Sequence, residues 1–364
     1  MKILYITNGI TGAGGLERVL SIKCSWLADK QGHDVHILCL NEENKAPFYS
    51  FSPNIKIHNI VVGGNPAKYI KQYIRGIKKV VETVKPNIIS VCDDGLKAFF
   101  LPLILGKPCP MIYERHVSKI ILLRANDGFL ERNAIKVQFA LMAKLGNTYD
   151  KFVVLTEGNL NEWQFKNLIV IGNPLSFYPE ESSALNQKKI IAVGKQSYQK
   201  GYDRLLDAFQ IVSQKHPDWH LDIFGKIEPQ EQLDQRAEKL NITAKVSFYP
   251  PEKNIKAKYL ESSMYVMSSR FEGFGMVLTE AMACGVPCVS FDCPYGPSDI
   301  ISDEDDGILV ANNDISALAA AMSRMIENED LRIDMGKNAK ENVKRFMPEL
   351  IVKQWDDLFK SLAK

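Results

Sequence analysis

Two glutamates that bracket a glycine-containing turn are the residues of this sequence best suited to bind a polar ligand. Glu272 and Glu280 stand on either side of seven residues in the stretch RFEGFGMVLTEAMACG. Gly273 and Gly275 let backbone amides approach an anion, and a helix that begins after them adds about half a positive charge. Carboxylates repel phosphate but accept hydrogen bonds from vicinal hydroxyls. A ligand with diols on both sides of a diphosphate, such as a nucleotide sugar, fits both features. The alternative is a helix cap with two solvated glutamates.

Two lysines lie in a second glycine-containing turn. Lys195 directly follows Gly194 at the end of an apolar strand, and Lys200 precedes Gly201, in the stretch AVGKQSYQKGYDRLLDAF. Lysines beside a strand–helix turn can neutralise a leaving diphosphate without a metal ion. Alone, the two lysines would be interpreted as surface residues. Together with the first turn they favour a diphosphate site.

Acidic and cysteine residues elsewhere could in principle hold a metal ion. Residues 302–307, SDEDDG, contain an Asp-x-Asp pair, but they fall in a turn, and the lysines already supply positive charge. Residues 92–95, CDDG, end a strand and either line an acceptor cleft or form a solvated turn. The seven cysteines include no Cys-x-x-Cys pair, which favours reduced, mostly buried thiols. We therefore expect no metal site.

Strands and helices alternate along the chain and must position these turns. Apolar strands such as KILYIT, HDVHILCL, NIISVC and MYVMS alternate with helical patterns, which predicts parallel, doubly wound α/β sheets. A length of 364 residues favours two domains, and the proline-bearing stretch 173–189 is the predicted linker. We predict a first domain over 1–175 and a second over 176–345. Ligands are expected at the carboxyl ends of strands, in a cleft between the two domains.

Charge is distributed unevenly along the chain. Residues 1–175 carry 22 Lys and Arg against 14 Asp and Glu, whereas the rest carry 23 against 29. Residues 67–84 form a predicted amphipathic helix that either docks on an anionic membrane or packs in the core with a solvated basic face. Its basic residues are Lys68, Lys71, Arg75, Lys78 and Lys79. No apolar run reaches the ~20 residues that span a bilayer. We expect a cytoplasmic protein, with peripheral membrane contact as a hypothesis and no nucleic-acid partner.

Three stretches together resemble the family 4 glycosyltransferases. They are VGKQSYQKGYDRLLDAF, SSRFEGFGMVLTEAMACGVPCVSFD and GPSDIISDEDDGILV, and the resemblance covers nearly the whole chain, including the N-terminal GAGGLERV loop. It implies the GT-B fold, in which two Rossmann-like α/β domains face each other across a cleft. The C-terminal helix, here 346–364, would cross back to the first domain with Trp355, Leu358 and Phe359 as its packing face. The resemblance also implies metal-independent transfer from a nucleotide sugar, with retention of configuration and without a cofactor.

The same resemblance implies roles for individual residues. Glu272 would contact the donor sugar, Glu280 the nucleotide ribose, and the two lysines the diphosphate. His116, in YERHVSK, would lie near the donor sugar, with a structural histidine as the alternative. The predicted catalytic residues are Glu272, His116, Lys200 and Lys195. The predicted donor-binding residues are Gly15, Gly194, Lys195, Lys200, Glu272, Gly273, Phe274, Gly275, Met276, Val277 and Glu280.

The predicted function is transfer of a hexose or N-acetylhexosamine to a glycan or lipid-linked acceptor in cell-surface polysaccharide synthesis. The stretch YGPSDII resembles relatives that use UDP-linked sugars, so a UDP-sugar is the expected donor. One alternative is an NAD-dependent oxidoreductase, since GAGGLE precedes a helix and Glu42 and Glu43 follow the second strand. That loop lacks the third glycine of the dinucleotide fingerprint. A sugar-nucleotide epimerase and a non-catalytic binding module are further alternatives.

Overall fold

The chain folds into two compact units, each built on one parallel sheet. The computed structural model describes residues 1–122 and 128–363. The first unit comprises Met1–Pro174 and Pro348–Lys364, and the second unit comprises Leu175–Met347. No helix among the described residues is both long and apolar enough to span a bilayer.

The first unit alternates strands and helices. Its strands are β1 (Lys2–Thr7), β2 (Asp34–Leu40), β3 (Lys56–Ile60), β4 (Ile88–Cys92), β5 (Met111–Glu114), β6 (Lys151–Val154) and β7 (Leu168–Val170). The α-helices between them are α1 (Gly15–Asp29), α2 (Pro66–Val84), α3 (Leu96–Phe99), α4 (Leu101–Leu105) and α5 (Phe129–Gly146).

The sheet of the first unit has the strand order β3-β2-β1-β4-β5-β6-β7, and neighbouring strands run parallel. The central strands β1 and β4 are almost wholly buried, as expected for a parallel sheet with helices on its faces. The strands predicted at KILYIT, HDVHILCL and NIISVC are confirmed. The edge strand β3, KIHNI, is not predicted, because a half-exposed edge strand lacks the continuous apolar run of a central one.

The second unit repeats the alternation. Its strands are β8 (Lys189–Val193), β9 (His220–Phe224), β10 (Val246–Tyr249), β11 (Met264–Met267), β12 (Cys288–Asp292) and β13 (Gly307–Ala311). Its α-helices are α6 (Tyr202–Lys215), α7 (Leu233–Lys239), α8 (Ile255–Leu260), α9 (Met276–Ala283), α10 (Pro297–Ile300), α11 (Ile315–Glu327) and α12 (Glu329–Asn342). The sheet order is β10-β9-β8-β11-β12-β13.

Helix α2 buries its apolar stripe in the core of the first unit. The buried residues of the helix are Tyr73, Ile77, Val81 and Val84. The five basic residues of the predicted basic face are exposed. Most of the apolar stripe is therefore already used for folding, with Ile70 left 56% exposed, and the basic face is solvated.

The last helix, α13 (Pro348–Leu362), belongs to the first unit and packs against α1. Trp355 and Phe359 are buried on its inner face. The ammonium of Lys23, from α1, lies 3.9 Å from the centroid of the Trp355 ring. Asp356 accepts from the His33 ring at 2.7 Å. Helix α13 therefore contributes both apolar contacts and a cation–π contact to the core of this unit.

We expect Trp355→Ala to lower the free energy of unfolding of the first unit by about 3–5 kcal/mol, because it removes a buried indole and the contact with Lys23. Chemical denaturation followed by far-UV circular dichroism measures the change. Leu350→Ala on the same helix is the matched control. Leu350 is 51% exposed, so its truncation should cost less than about 0.5 kcal/mol. An unchanged denaturation midpoint for Trp355→Ala would contradict this packing.

Candidate active site

Two loops emerge side by side where the strand order of the second sheet reverses. Strands β8 and β11 are parallel neighbours, yet the chain continues from β8 to β9 and β10, and from β11 to β12 and β13. Ligands of open parallel sheets bind at such a switch point, outside the carboxyl ends of the strands. We call residues 194–201, after β8, the lysine loop, and residues 268–275, after β11, the glutamate loop. They contain most of the predicted donor-binding residues.

The lysine loop begins where two strand ends approach each other closely. Gly194 has φ +150°, and a Cβ atom there would lie 2.8 Å from Lys200 Cε. Gly225, which follows the neighbouring strand β9, also has φ +150°, and its Cβ would lie 1.9 Å from the Gly194 carbonyl oxygen. The backbone conformation and the close approach both require glycine.

The glutamate loop is fixed by the turn that follows β12. The Glu272 amide donates to the Pro294 carbonyl at 2.7 Å, and the Tyr295 amide donates to the Glu272 carbonyl at 3.2 Å. Gly296 has φ +112°, and a Cβ there would lie 2.0 Å from the Phe274 carbonyl oxygen. The backbone at Gly296 therefore packs directly against the backbone of the glutamate loop.

Hydrogen bonds from both backbone and side-chain groups join the lysine loop to the glutamate loop. The Arg270 amide donates to the Gln199 carbonyl at 2.7 Å. The Gln199 side chain donates to the Phe271 carbonyl at 3.1 Å, and the Ser268 hydroxyl donates to the Lys200 carbonyl at 2.9 Å. The two loops are thus held in register with each other.

An ion pair between Lys200 and Glu272 bridges the loops. Their Nζ and Oε1 atoms lie 2.7 Å apart, and the side chains are 16% and 7% exposed. The Ser269 hydroxyl donates to the same oxygen of Glu272. Within the part of the chain that the structure describes, no hydrogen bond reaches Glu272 Oε2. This oxygen can accept from ligand hydroxyls, while Lys200 has further N–H donors for an anion.

Lys195 lies at the edge of this site. Its Nζ is 3.0 Å from Glu228 Oε1, and its side chain is 56% exposed. Glu228 also pairs with Lys226 at 3.1 Å. Hydrogen bonds from Gln230 and from the two lysines lower the pKa of Glu228 to about 2. The structure thus pairs Lys195 with Glu228, whereas Lys200 pairs with the glutamate loop.

Helix α9 begins where the glycines predict it. Gly275 is its N-cap, with φ +100°, and the helix ends at Ala283. Gly273 and Phe274 are buried in the turn before it. The first amides of an α-helix have no acceptor within the helix, so those of Met276 and Val277 can be offered to an anion, together with the helix dipole.

Glu280 lies one turn into α9. Its Oε1 accepts from the Ser176 hydroxyl at 2.8 Å, and its Oε2 accepts from the Tyr259 hydroxyl at 3.3 Å. Ser176 belongs to the stretch that the sequence predicts as a linker. The alternative of two solvated glutamates is wrong, because Glu272 and Glu280 are only 5% and 1% exposed.

The predicted residues of the first unit lie at the carboxyl edge of its sheet. His116 follows β5, and its Nε2 lies 3.1 Å from Glu114 Oε2. The His116 amide donates to Asp94 Oδ1 at 3.2 Å. Gly15 begins α1, and a Cβ there would meet nothing within 4 Å. Sterically, this unit would therefore accept alanine at that position.

Acidic residues of the two candidate turns are used within the fold. In residues 302–307, Asp306 and Asp303 each accept a backbone hydrogen bond at 2.8 Å. In residues 92–95, Asp93 is 2% exposed and accepts from a neighbouring asparagine side chain. The interpretation of residues 92–95 as a solvated turn is therefore wrong for Asp93.

One group of three side chains with metal-binding atoms comes together among the described residues. It consists of Cys92, Glu114 and His116. Burial raises the pKa of the Cys92 thiol well above its ordinary value, and the ammonium of Lys23 already pairs with the Glu114 oxygen that faces His116. The ammonium of Lys23 competes with a metal ion for this oxygen, which makes the group a poor metal site.

Two residues near His116, Glu114 and Lys23, were not predicted as site residues, although the sequence pattern around each one indicates a role. Glu114 ends β5 and stands two positions before His116, and residues two positions apart in an extended chain lie on the same side. Lys23 lies in the buried apolar stripe of α1, between Val19 and Leu27. A lysine in such a stripe must find a partner.

Comparison with known proteins identifies the family. The model for glycosyl transferases group 1 matches residues 177–342, and the glycosyl transferase 4-like model matches residues 2–145. The chain is 30% identical to an uncharacterized glycosyltransferase of Haemophilus influenzae, over 97% of this chain and 98% of the relative. It is also 30% identical to the amylovoran biosynthesis glycosyltransferase AmsD of Erwinia amylovora, over 98% of this chain and 99% of the relative. The chain belongs to the group 1 glycosyltransferases.

The fold of this glycosyltransferase agrees with that assignment. The crystal structure of Anabaena HepE in complex with UDP-glucose superimposes with a TM-score of 0.79 at 18% identity, over 100% of both chains. The GT-B fold expected from the motifs is confirmed. Family membership also disfavours the NAD-dependent oxidoreductase, because the glycine loop of the first unit lies inside a glycosyltransferase match.

We expect Gly296→Ala to destabilise the second unit by about 1–3 kcal/mol, because alanine is strained at φ +112° and its Cβ would meet the Phe274 carbonyl. Thermal unfolding measures the loss. Gly63→Ala is the matched control, since a Cβ at Gly63 meets nothing within 4 Å. Equal melting temperatures for the two variants would contradict the close backbone packing beneath the glutamate loop.

Proposed function

We propose that this glycosyltransferase transfers a hexose or N-acetylhexosamine from a UDP-sugar to a glycan or lipid-linked acceptor in polysaccharide biosynthesis. The observation that carries the proposal is the Lys200–Glu272 ion pair at the switch point. It puts an ammonium that can donate hydrogen bonds to a diphosphate beside a carboxylate that can accept hydrogen bonds from sugar hydroxyls. The name of AmsD, an amylovoran biosynthesis enzyme, supports a polysaccharide product. The complex of HepE with UDP-glucose supports a UDP-linked donor.

The second unit is the proposed donor-binding unit. Glu272 would accept from sugar hydroxyls through Oε2, and Glu280 would accept from the ribose hydroxyls. Lys200 would bind the diphosphate, and Lys195 would reach it from the edge of the site. The remaining proposed contacts are backbone groups at Gly194 and in residues 273–277. The first unit would hold the acceptor, with Gly15 and His116 near the donor sugar.

The proposed chemistry is a substitution at the anomeric carbon with retention of configuration. The bond from this carbon to the diphosphate oxygen breaks, the bond to the acceptor hydroxyl oxygen forms, and UDP leaves. The leaving phosphate would accept the hydroxyl proton, since attack occurs on the same face. Lys200 and the N-terminus of α9 would stabilise the charge that develops on the diphosphate, so no metal ion is required.

We expect Lys200→Met and Glu272→Gln each to reduce UDP release in the presence of acceptor by at least about 100-fold, because each removes a group that stabilises the transition state. The assay measures UDP released from UDP-glucose and UDP-N-acetylglucosamine, with and without acceptor, after a thermal-shift screen has selected the donor. Lys226→Met is the matched control, because Lys226 is 71% exposed, and its rate should stay within about twofold.

Near-wild-type rates in folded Lys200→Met or Glu272→Gln protein would overturn the site assignment. UDP-sugar binding without turnover on any acceptor would favour a non-catalytic binding module. An altered sugar on a nucleotide, formed without acceptor, would favour an epimerase.

The basic face of α2 is the proposed contact with an anionic membrane. Since most of the apolar stripe of α2 is packed in the core, the contact would be mainly electrostatic. Such a contact would bring the first unit to a lipid-linked acceptor at the cytoplasmic face of the membrane.

We expect Lys71, Arg75, Lys78 and Lys79 changed together to Glu to abolish co-sedimentation with vesicles that contain phosphatidylserine. The wild-type protein should co-sediment at low salt and be released at high salt, because exposed charges are screened. Vesicles of phosphatidylcholine alone are the control, and neither protein should bind them. Equal sedimentation of the two proteins with anionic vesicles would contradict the proposal.

A further inference from the structure

We propose that Glu114 and Lys23 are positioning residues for His116, and that they hold the imidazole in the tautomer that presents Nδ1 as a hydrogen-bond acceptor to the donor sugar. The inference rests on the proposed function in taking His116 as a contact of that sugar. It adds two residues to which the family resemblance assigns no role, and it defines which ring nitrogen acts.

The contact between Glu114 and His116 selects the tautomer. Glu114 Oε2 lies 3.1 Å from His116 Nε2, and the two side chains are 0% and 5% exposed. An ionised carboxylate only accepts hydrogen bonds, so Nε2 must carry the hydrogen. In the neutral ring Nδ1 then carries a lone pair. Among residues 1–122 and 128–363, no hydrogen bond to Nδ1 is found, which leaves this nitrogen for a ligand hydroxyl.

Glu114 is kept ionised by its surroundings. Burial alone would raise its pKa, but the charge of Lys23 and the contact with His116 together lower the pKa of Glu114 to about 2. Lys23 pairs with Oε2, and the Ser90 hydroxyl donates to Oε1 at 2.5 Å. Both carboxylate oxygens therefore have fixed donors, and the carboxylate cannot rotate without breaking them.

Lys23 is enclosed by aromatic rings. Its ammonium lies 3.9 Å from the Trp355 ring centroid and 5.1 Å from that of Tyr5, and both Lys23 and Glu114 are 0% exposed. A fully buried ion pair is weak support for stability, because well-packed apolar residues often replace one without loss. Stability alone therefore does not require the charges of Lys23 and Glu114, whereas a role in orienting His116 does.

A double-mutant cycle tests the inference in the full-length protein. We expect Glu114→Gln with Lys23→Met, which removes both charges together, to lower kcat by about 10–100-fold, the effect of a misplaced contact group. The same pair of substitutions in a His116→Ala background should change kcat by less than about twofold, because the pair acts only through His116. Asp356→Asn is the matched control. It removes another buried carboxylate of the first unit, which pairs with His33, and should leave kcat within about twofold.

NMR of protein with ¹⁵N-labelled histidine provides a readout independent of turnover. In the wild-type protein, near neutral pH or above, His116 should show a protonated Nε2 and an unprotonated Nδ1, with the signals assigned by their loss in His116→Asn. The Glu114→Gln/Lys23→Met protein should lose this single tautomer. A wild-type spectrum with hydrogen on Nδ1 would overturn the inference without any measurement on the Glu114→Gln/Lys23→Met protein.

The outcomes separate the inference from the proposed function. Full activity of His116→Ala would overturn the role of His116 in the proposed function, and the inference with it. A slow His116→Ala enzyme, combined with unchanged kcat and tautomer in the Glu114→Gln/Lys23→Met protein, would overturn the inference alone. An equal loss of kcat in both backgrounds would also overturn it, because the pair would then act by a route other than His116.

Discussion

The ion pair between Lys200 and Glu272 is the constraint on which the candidate site depends. Each charge is largely removed from water, and a buried charge is costly unless it is paired and hydrogen-bonded. Lys200 follows β8 and Glu272 follows β11. Pairing them therefore requires these two strands to be neighbours and their loops to bring the two side chains to the same height above the sheet. Hydrogen bonds between the loops and the glycine contacts beneath them meet this requirement. The site is therefore already organised before a ligand binds, which lowers the ordering cost of binding.

Each unit contains a lysine–glutamate ion pair at the carboxyl edge of its sheet, and the two pairs differ in how deeply they are buried. In the first unit, Lys23 and Glu114 join a helix to a strand end and have no exposed surface. In the second unit, Lys200 and Glu272 keep part of their side chains accessible. A sealed pair can only orient its neighbours, whereas a partly open pair can exchange protein contacts for ligand contacts. This difference in exposure supports the proposed positioning role of the Lys23–Glu114 pair and the proposed binding role of the Lys200–Glu272 pair.

Local features of the fold were predictable, and long-range pairing was not. Gly275 defines where α9 begins, because local backbone conformation is decided by neighbouring residues. The partner of Lys23 stands 91 positions away, and a burial pattern shows that a partner is needed without showing which residue supplies it. Ser176 illustrates the same limit. A polar stretch without periodicity predicts a linker, yet its hydroxyl binds Glu280 inside the second unit.

Helix α2 shows why an amphipathic pattern alone does not define a membrane-binding helix. The same pattern serves core packing and interfacial insertion, and the structure assigns the apolar stripe to the core. What remains is a row of exposed cations, each worth about 1 kcal/mol near an anionic surface. Five such charges support weak binding that is screened at high salt. Weak, reversible binding would suit the proposed encounter with a donor in solution and a lipid-linked acceptor at the membrane, because tight insertion would slow exchange between the two.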